Sequence, residues 1–253
     1  MKKIFSGSTL KLIAICAMIL DHFGQVVLKN GIALKASYSM FTDAQFTYLL
    51  DVINVLHMLG RLAFPIFCFL LVEGFIHTHN LKKYLINLFI FAFIAEPIYD
   101  LSLQGTLFDI NQQNVLFTLS LGLFVLLIIK RSNKNWLISS MIILVGAILS
   151  YICKMDGSYY GIGLISIFYL FYDKNYWKYI ISIVYMYICG LDFSLYGIFN
   201  WYFLTAVSSV FLISLYNGTR GIKLKYLFYI FYPGHLFVFY LLSLIIEKMF
   251  LGC

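Results

Sequence analysis

The sequence predicts an all-α, polytopic membrane helix bundle of about nine transmembrane helices, with its N-terminus in the cytoplasm and its C-terminus outside. Apolar residues make up 62% of the 253 and charged residues 11%, which leaves too little polar surface to cover a soluble domain of this size. Apolar stretches of roughly 17–25 residues, each about long enough to cross a ~30 Å hydrocarbon core, follow one another from Ser8 almost to the end. Cations fall on alternate loops, as they do when basic loops are retained in the cytoplasm.

The predicted spans are Ser8–Leu28, Asn54–His77, Lys82–Pro97, Asn114–Ile129, Asn135–Cys153, Tyr159–Tyr172, Tyr176–Gly190, Ile198–Tyr216 and Leu224–Met249. The first is not a cleavable signal peptide, because Asp21 and His22 interrupt it, no small-residue cleavage site follows and further spans come after it. Phe41–Ile53 reads as a short interfacial helix before the second span. The sixth and seventh stretches are short, and a re-entrant pair is the alternative to two spans, so counts of eight to ten stay open. Lys2, Lys3, Lys11, Lys82, Lys83, Lys130, Arg131, Lys134, Lys174, Lys178, Arg220, Lys223 and Lys225 then share the cytoplasmic side. The opposite side holds Lys29, Lys35, Lys154 and Lys248 with Asp43, Asp100, Asp109, Asp156 and Asp192. Residues 1–253 form a single integral domain in the inner (plasma) membrane. The net charge of +7 follows from orientation and anionic lipid, and calls for no nucleic acid.

Cys16, Cys68, Cys153, Cys189 and Cys253 are scattered singly, without the close pairs that bind zinc or exchange disulfides, and read as small packing residues. No metal site is expected. Glycine-rich phosphate loops and internal repeats are absent from the sequence.

Ionisable groups inside spans are functional candidates by default, because each costs several kcal/mol unless paired or hydrated. In the first span Lys11 precedes His22 by eleven residues. At 100° per residue this returns to within about 20° of the same face, about 16 Å further along the helix. In the second, Pro65 should kink the helix and release a carbonyl beside a polar cavity. Arg61 lies near its outer end; Glu73 and His77 share a face near the other. Glu96, Pro97 and Asp100 end the third span, and Asn114 and Thr118 open the fourth across a loop, where they can converge. The run Asp156-Gly157-Ser158 reads as a turn. Tyr232-Pro233-Gly234-His235 breaks the last helix and puts a second imidazole at membrane depth.

Leu10 to Ala14 with Asp21-His22, the block Gly60 to Phe67 with Glu73-Gly74-Phe75 and His77-Thr78, Glu96 with Asp100, Asn114 with Phe117-Thr118, and Tyr232 to His235 together resemble the TraX family, whose namesake is the F-pilin acetylase. The resemblance is dense over residues 8–123 and returns near the C-terminus. It implies an integral membrane acyltransferase moving acetyl from acetyl-CoA, the donor substrate, to an amine or hydroxyl of a membrane-held or extracytoplasmic acceptor such as a pilin-like peptide or a surface glycan. Joined to the residue pattern, it gives His22, oriented by Asp21 or another carboxylate, as the general base. An acetyl-histidine intermediate is an alternative. His235 is a second acid/base group or a structural partner. Lys11, Lys82 and Lys83 hold the donor phosphates, with Glu73 and His77 nearby, and Arg61, Glu96, Asp100 and Asn114 bind the acceptor. A small transporter and a non-enzymatic assembly factor are the rival readings.

Overall fold

The computed structural model describes residues 3–36, 40–174, 176–190, 195–222 and 225–251; Lys2, Asp192, Lys223 and Cys253 lie outside them. Among these, regular structure is helical throughout. Helix α1 spans Gly7–His22 and continues as a π-helical segment, Phe23–Ala33. Helices α2 (Asp43–Gly60) and α3 (Ala63–His77) follow, then α4 (Leu81–Leu103), α5 (Val115–Arg131), α6 (Trp136–Ile152), α7 (Ser158–Leu170), α8 (Trp177–Cys189), the single turn α9 (Leu195–Ile198), α10 (Trp201–Ser214) and α11 (Lys225–Ile246). Among the described residues four stretches are long and apolar enough to cross a membrane: Gly7–Ala33, Asp43–His77, Leu81–Leu103 and Tyr229–Met249.

Local chemistry places most helix starts. Ser6, Thr42, Asn80, Asn114, Asn135 and Asn200 each accept a backbone N–H from the first turn that follows them. Short oxygen-bearing side chains do this best, because they satisfy donors that the helix itself leaves unpaired. At α2 the bond is reciprocal, with Gln45 accepting from the Thr42 N–H.

Three expectations change on folding. Phe41–Ile53 is not separate from the second span: α2 runs through both and stops at Gly60, and the chain turns at Arg61–Leu62 before α3. Pro65 supplies the reason. It falls in the first turn of α3, where its missing N–H costs little, and four residues back it leaves the Arg61 carbonyl without a helical donor. The third span does not end at Pro97, because α4 continues to Leu103. Nor does Pro233 break the last helix; α11 passes through it. A proline in a long apolar helix is tolerated when neighbouring helices hold the segment.

Helix α3 is buried on nearly every face, from Ala63 to Phe75, and α5 and α7 pack beside it. Phe69, Phe75, Phe168, Leu116 and Leu126 fill the middle. Helices α6, α8 and α10 turn large apolar side chains outward, among them Met141, Leu144, Val184 and Phe211, a surface that suits lipid. The packing expectation for cysteines holds for buried Cys68, whereas Cys16 and Cys153 are exposed.

Candidate functional site

Two polar regions lie at different levels of the bundle, joined by one face of α1. The first is built around histidine. His235 Nδ1–H donates to the Phe231 carbonyl one turn back (2.7 Å), which leaves Nε2 as an acceptor. His22 Nδ1 lies 2.6 Å from that Nε2 and therefore carries the hydrogen. The lone pair of neutral His22 is thus fixed on Nε2. The two rings lie nearly coplanar, edge to edge across this bond with 4.9 Å between centroids, and the Phe231 ring stacks on His235 at the same spacing.

Asp21 does not orient His22, contrary to expectation. Successive helical residues point about 100° apart, and Asp21 turns toward α2, where its Oδ1 accepts from His57 Nδ1 at 2.6 Å. Arg61 Nη2 donates to His57 Nε2 at 2.7 Å, which fixes the same Nδ1–H tautomer in this ring. Arg61 also lies 5.7 Å from the centre of the Tyr202 ring, a cation–π contact. Gly60 permits the approach: a Cβ there would stand 2.5 Å from the Asp21 Cβ.

The expected convergence of α4 and α5 is present. Glu96 Oε2 accepts both the Asn114 backbone N–H (3.0 Å) and its side-chain amide. Asn114 also donates to the Ala92 carbonyl at 2.8 Å and caps α5. Asp100, buried, accepts the Asp109 N–H at 2.9 Å. Glu96 Oε1 and Asp100 Oδ1 are buried without a partner.

Asp156 is more than part of a turn. Its N–H donates to the Gln113 carbonyl (2.7 Å), and its own carbonyl accepts from Thr118. Gly157 sits at φ +79°, where a Cβ would meet the Phe64 ring at 2.4 Å. Burial, and after it the like charge of Asp21, push the Asp156 carboxyl up to about 6, against the pull of Arg61.

The second region is a cavity of about 720 Å³ between the starts of α1 and α4, the end of α3 and the 217–222 segment. Lys11, Lys83, Arg220, His77 and His79 line it, and Glu73 is the one carboxylate among the lining residues. The Tyr216 hydroxyl donates to Glu73 Oε2 at 3.0 Å, and His77 Nε2 is 3.4 Å from the same oxygen. Lys82 is exposed and does not line the cavity. The chain start is strapped across its edge: Ile4 and Phe5 donate to Leu215, Gly7 to Thr219 and Ser8 to Arg220, and Asn217 donates back to Phe5.

Of the expected site residues, the structure joins His22 to His235, Glu96 to Asn114, and Lys11 to Lys83, Glu73 and His77. Sequence reasoning missed His57 and Asp156 in the first region, and Arg220, His79 and Tyr216 in the second. The i,i+4 spacing of His57 and Arg61 is the signal that could have found His57. Among the described residues no group of His, Cys, Asp or Glu side chains has the geometry of a metal site.

The family model described as TraX protein matches residues 6–243. Over 131 residues the chain is 37% identical to a protein of Dichelobacter nodosus described as "Probable fimbrial assembly protein FimC, serogroup H1". That match covers 49% of this chain and 46% of the relative, so the chain spans less than half of that protein's length. No solved structure matches.

Proposed function

We propose that this chain, which belongs to the TraX family, is a membrane-embedded acyltransferase that moves acetyl from cytoplasmic acetyl-CoA to an amine or hydroxyl of a membrane-held or extracytoplasmic acceptor. One observation carries this reading. A histidine whose Nε2 lone pair is fixed by its neighbour stands about 16 Å along α1 from a cavity lined by Lys11, Lys83 and Arg220. Cations in a cavity of this size suit phosphates. A pantetheine arm is long enough to carry a thioester from such a site to the imidazole.

His22 Nε2 takes the proton from the acceptor N–H or O–H as that atom attacks the thioester carbonyl. The C–S bond breaks, and the imidazolium returns the proton to the departing thiolate. His235 holds the reactive tautomer. Arg61, with the Glu96–Asn114 pair and Asp100, lines the acceptor's approach. The relative's description as a fimbrial assembly protein favours a pilin-like peptide as acceptor and a role in pilus or conjugation machinery.

The same proposal takes nine crossings, by α1 with its π extension, the joined α2–α3, α4, α5, α6, α7, α8, α10 and α11, with the N-terminus inside. Lys130 over Phe75, Lys134 over Tyr169 and Lys178 over Tyr172 and Tyr179 gather cations at the level of the cavity, which supports placing that level at the cytoplasmic face.

Thermal shift of detergent-purified protein with acetyl-CoA tests the donor site. Stabilisation of wild type, its loss in Lys11→Ala and its retention in His22→Ala are expected. No shift at millimolar acetyl-CoA would overturn the acyltransferase reading, and solute uptake by proteoliposomes would then support the transporter.

A further inference from the structure

Helix lengths divide the bundle. At 1.5 Å per residue α4 runs about 35 Å, and α1 with its π-helical extension is 27 residues long, each enough for a ~30 Å hydrocarbon core. The outward-facing helices α6, α8 and α10 have 17, 13 and 14 residues, and the buried α7 has 13. They run only about 20–26 Å.

Their far ends stop level with the histidine region. Gly157 at the start of α7 lies against Phe64, and Thr118 donates to Asp156. At the start of α10, the Tyr202 ring meets both His57 and Arg61. At that level Arg61 is exposed, and the His57 and Asp21 side chains are 30% and 24% exposed. A guanidinium does not face hydrocarbon without water.

Aromatic residues mark the same two levels. The chain has three tryptophans, and each is the first residue of a short outward-facing helix: Trp136, Trp177 and Trp201, all exposed. Exposed Tyr151 closes the far end of α6, about 23 Å from Trp136. Tryptophan and tyrosine settle at membrane–water boundaries.

From these lengths, the exposed charges and the aromatic edges we infer that the protein thins the bilayer by about 5–10 Å against α6, α8 and α10, bringing the outer water boundary down to Asp21, His57 and Arg61. The inference rests on the crossing topology proposed above. A membrane-held acceptor then reaches His22 from the thinned side without carrying a charged group through hydrocarbon.

The test uses the full-length protein in vesicles of dioleoyl-length phosphatidylcholine brominated at shallow, middle or deep chain positions. Each tryptophan is read alone by changing the other two to phenylalanine. Quenching about twofold stronger by shallow than by deep bromines is expected for all three, including Trp201. Should a variant fail to fold, the summed emission of the unsubstituted protein gives the same comparison. Strongest quenching of Trp201, or of both Trp136 and Trp177, by deep bromines overturns the thinning. Membrane-impermeant lysine labelling read by mass spectrometry checks the topology separately. Lys134 and Lys154 modified from opposite sides is expected; modification from one side overturns the crossing, and the thinning with it.

Discussion

The histidine region and the basic cavity are built on opposite principles. In the first, the donors and acceptors that matter are already spent on one another: His235 on Phe231, His22 on His235, His57 on Asp21, Arg61 on His57 and Asn114 on Glu96. In the second, three cations and two imidazoles face about 720 Å³ of space, with Glu73 as the one carboxylate among the described residues that line it. Fixed dipoles and tautomers cost no reorganisation when charge develops, so a network paired in advance around the open His22 Nε2 suits chemistry. Clustered positive charge suits capture of an anion, and its pull is weakened by salt.

The sharpest way to break the comparison is to separate turnover from binding. His22→Ala should lower acetyl transfer by roughly 10²–10⁴-fold, the usual worth of a general base, while the apparent Kd for acetyl-CoA changes little. Labelled-acetyl transfer beside a binding isotherm reads both. If binding falls with turnover, the two regions are one site.

Lys83→Ala should do the reverse. A charge-assisted bond to phosphate is worth about 1.5–3 kcal/mol, so affinity should weaken roughly 10–100-fold with kcat near wild type. The gap between Lys83→Ala and wild type should shrink as salt rises.

His235→Phe removes one neutral hydrogen bond and the fixed tautomer, keeping an aromatic ring. A loss of about tenfold in kcat, more than in KM, is expected. An unchanged kcat would leave His235 as packing alone.

The smallest effect concerns Asp156. Its carboxyl is pushed up to about 6 in the folded protein, above an unfolded value near 3.9. The native state therefore binds more protons between about pH 4 and 6, and stability falls as pH rises through that window. Asp156→Asn should flatten this part of a Tm-against-pH curve. A slope unchanged by the substitution would separate Asp156 from the Asp21–Arg61 group.

The helices were largely legible in the sequence, because an apolar run bounded by Asn, Ser or Thr leaves little choice of structure. His22, His235, Glu96 and Asn114 were legible too, since polar groups stand out inside such runs. The partners were not. Asp21 meets His57 across 36 positions and His22 meets His235 across 213, and nothing in the local pattern encodes those pairings. Asp156 read as a turn because its surroundings come from Gln113, Thr118 and Phe64 on other segments. Arg220 was legible only as a marker of orientation. Its place in the cavity depends on the strap between the chain start and residues 215–220. Pro97 and Pro233 misled for the opposite reason, being strong local signals overridden by the helices around them.

That strap and the hydrogen-bonded imidazoles also set an order in time. The first helix made supplies Lys11 and His22, but Arg220 and His235 are the chain's later products. At synthesis rates of about 5–20 residues per second, roughly 10–40 s separate His22 from His235. A nascent chain can insert its early helices in that interval without holding either complete region. The histidine region is in effect completed only by α11, and under the proposed function a chain cut short before α11 is expected to show no acetyl transfer.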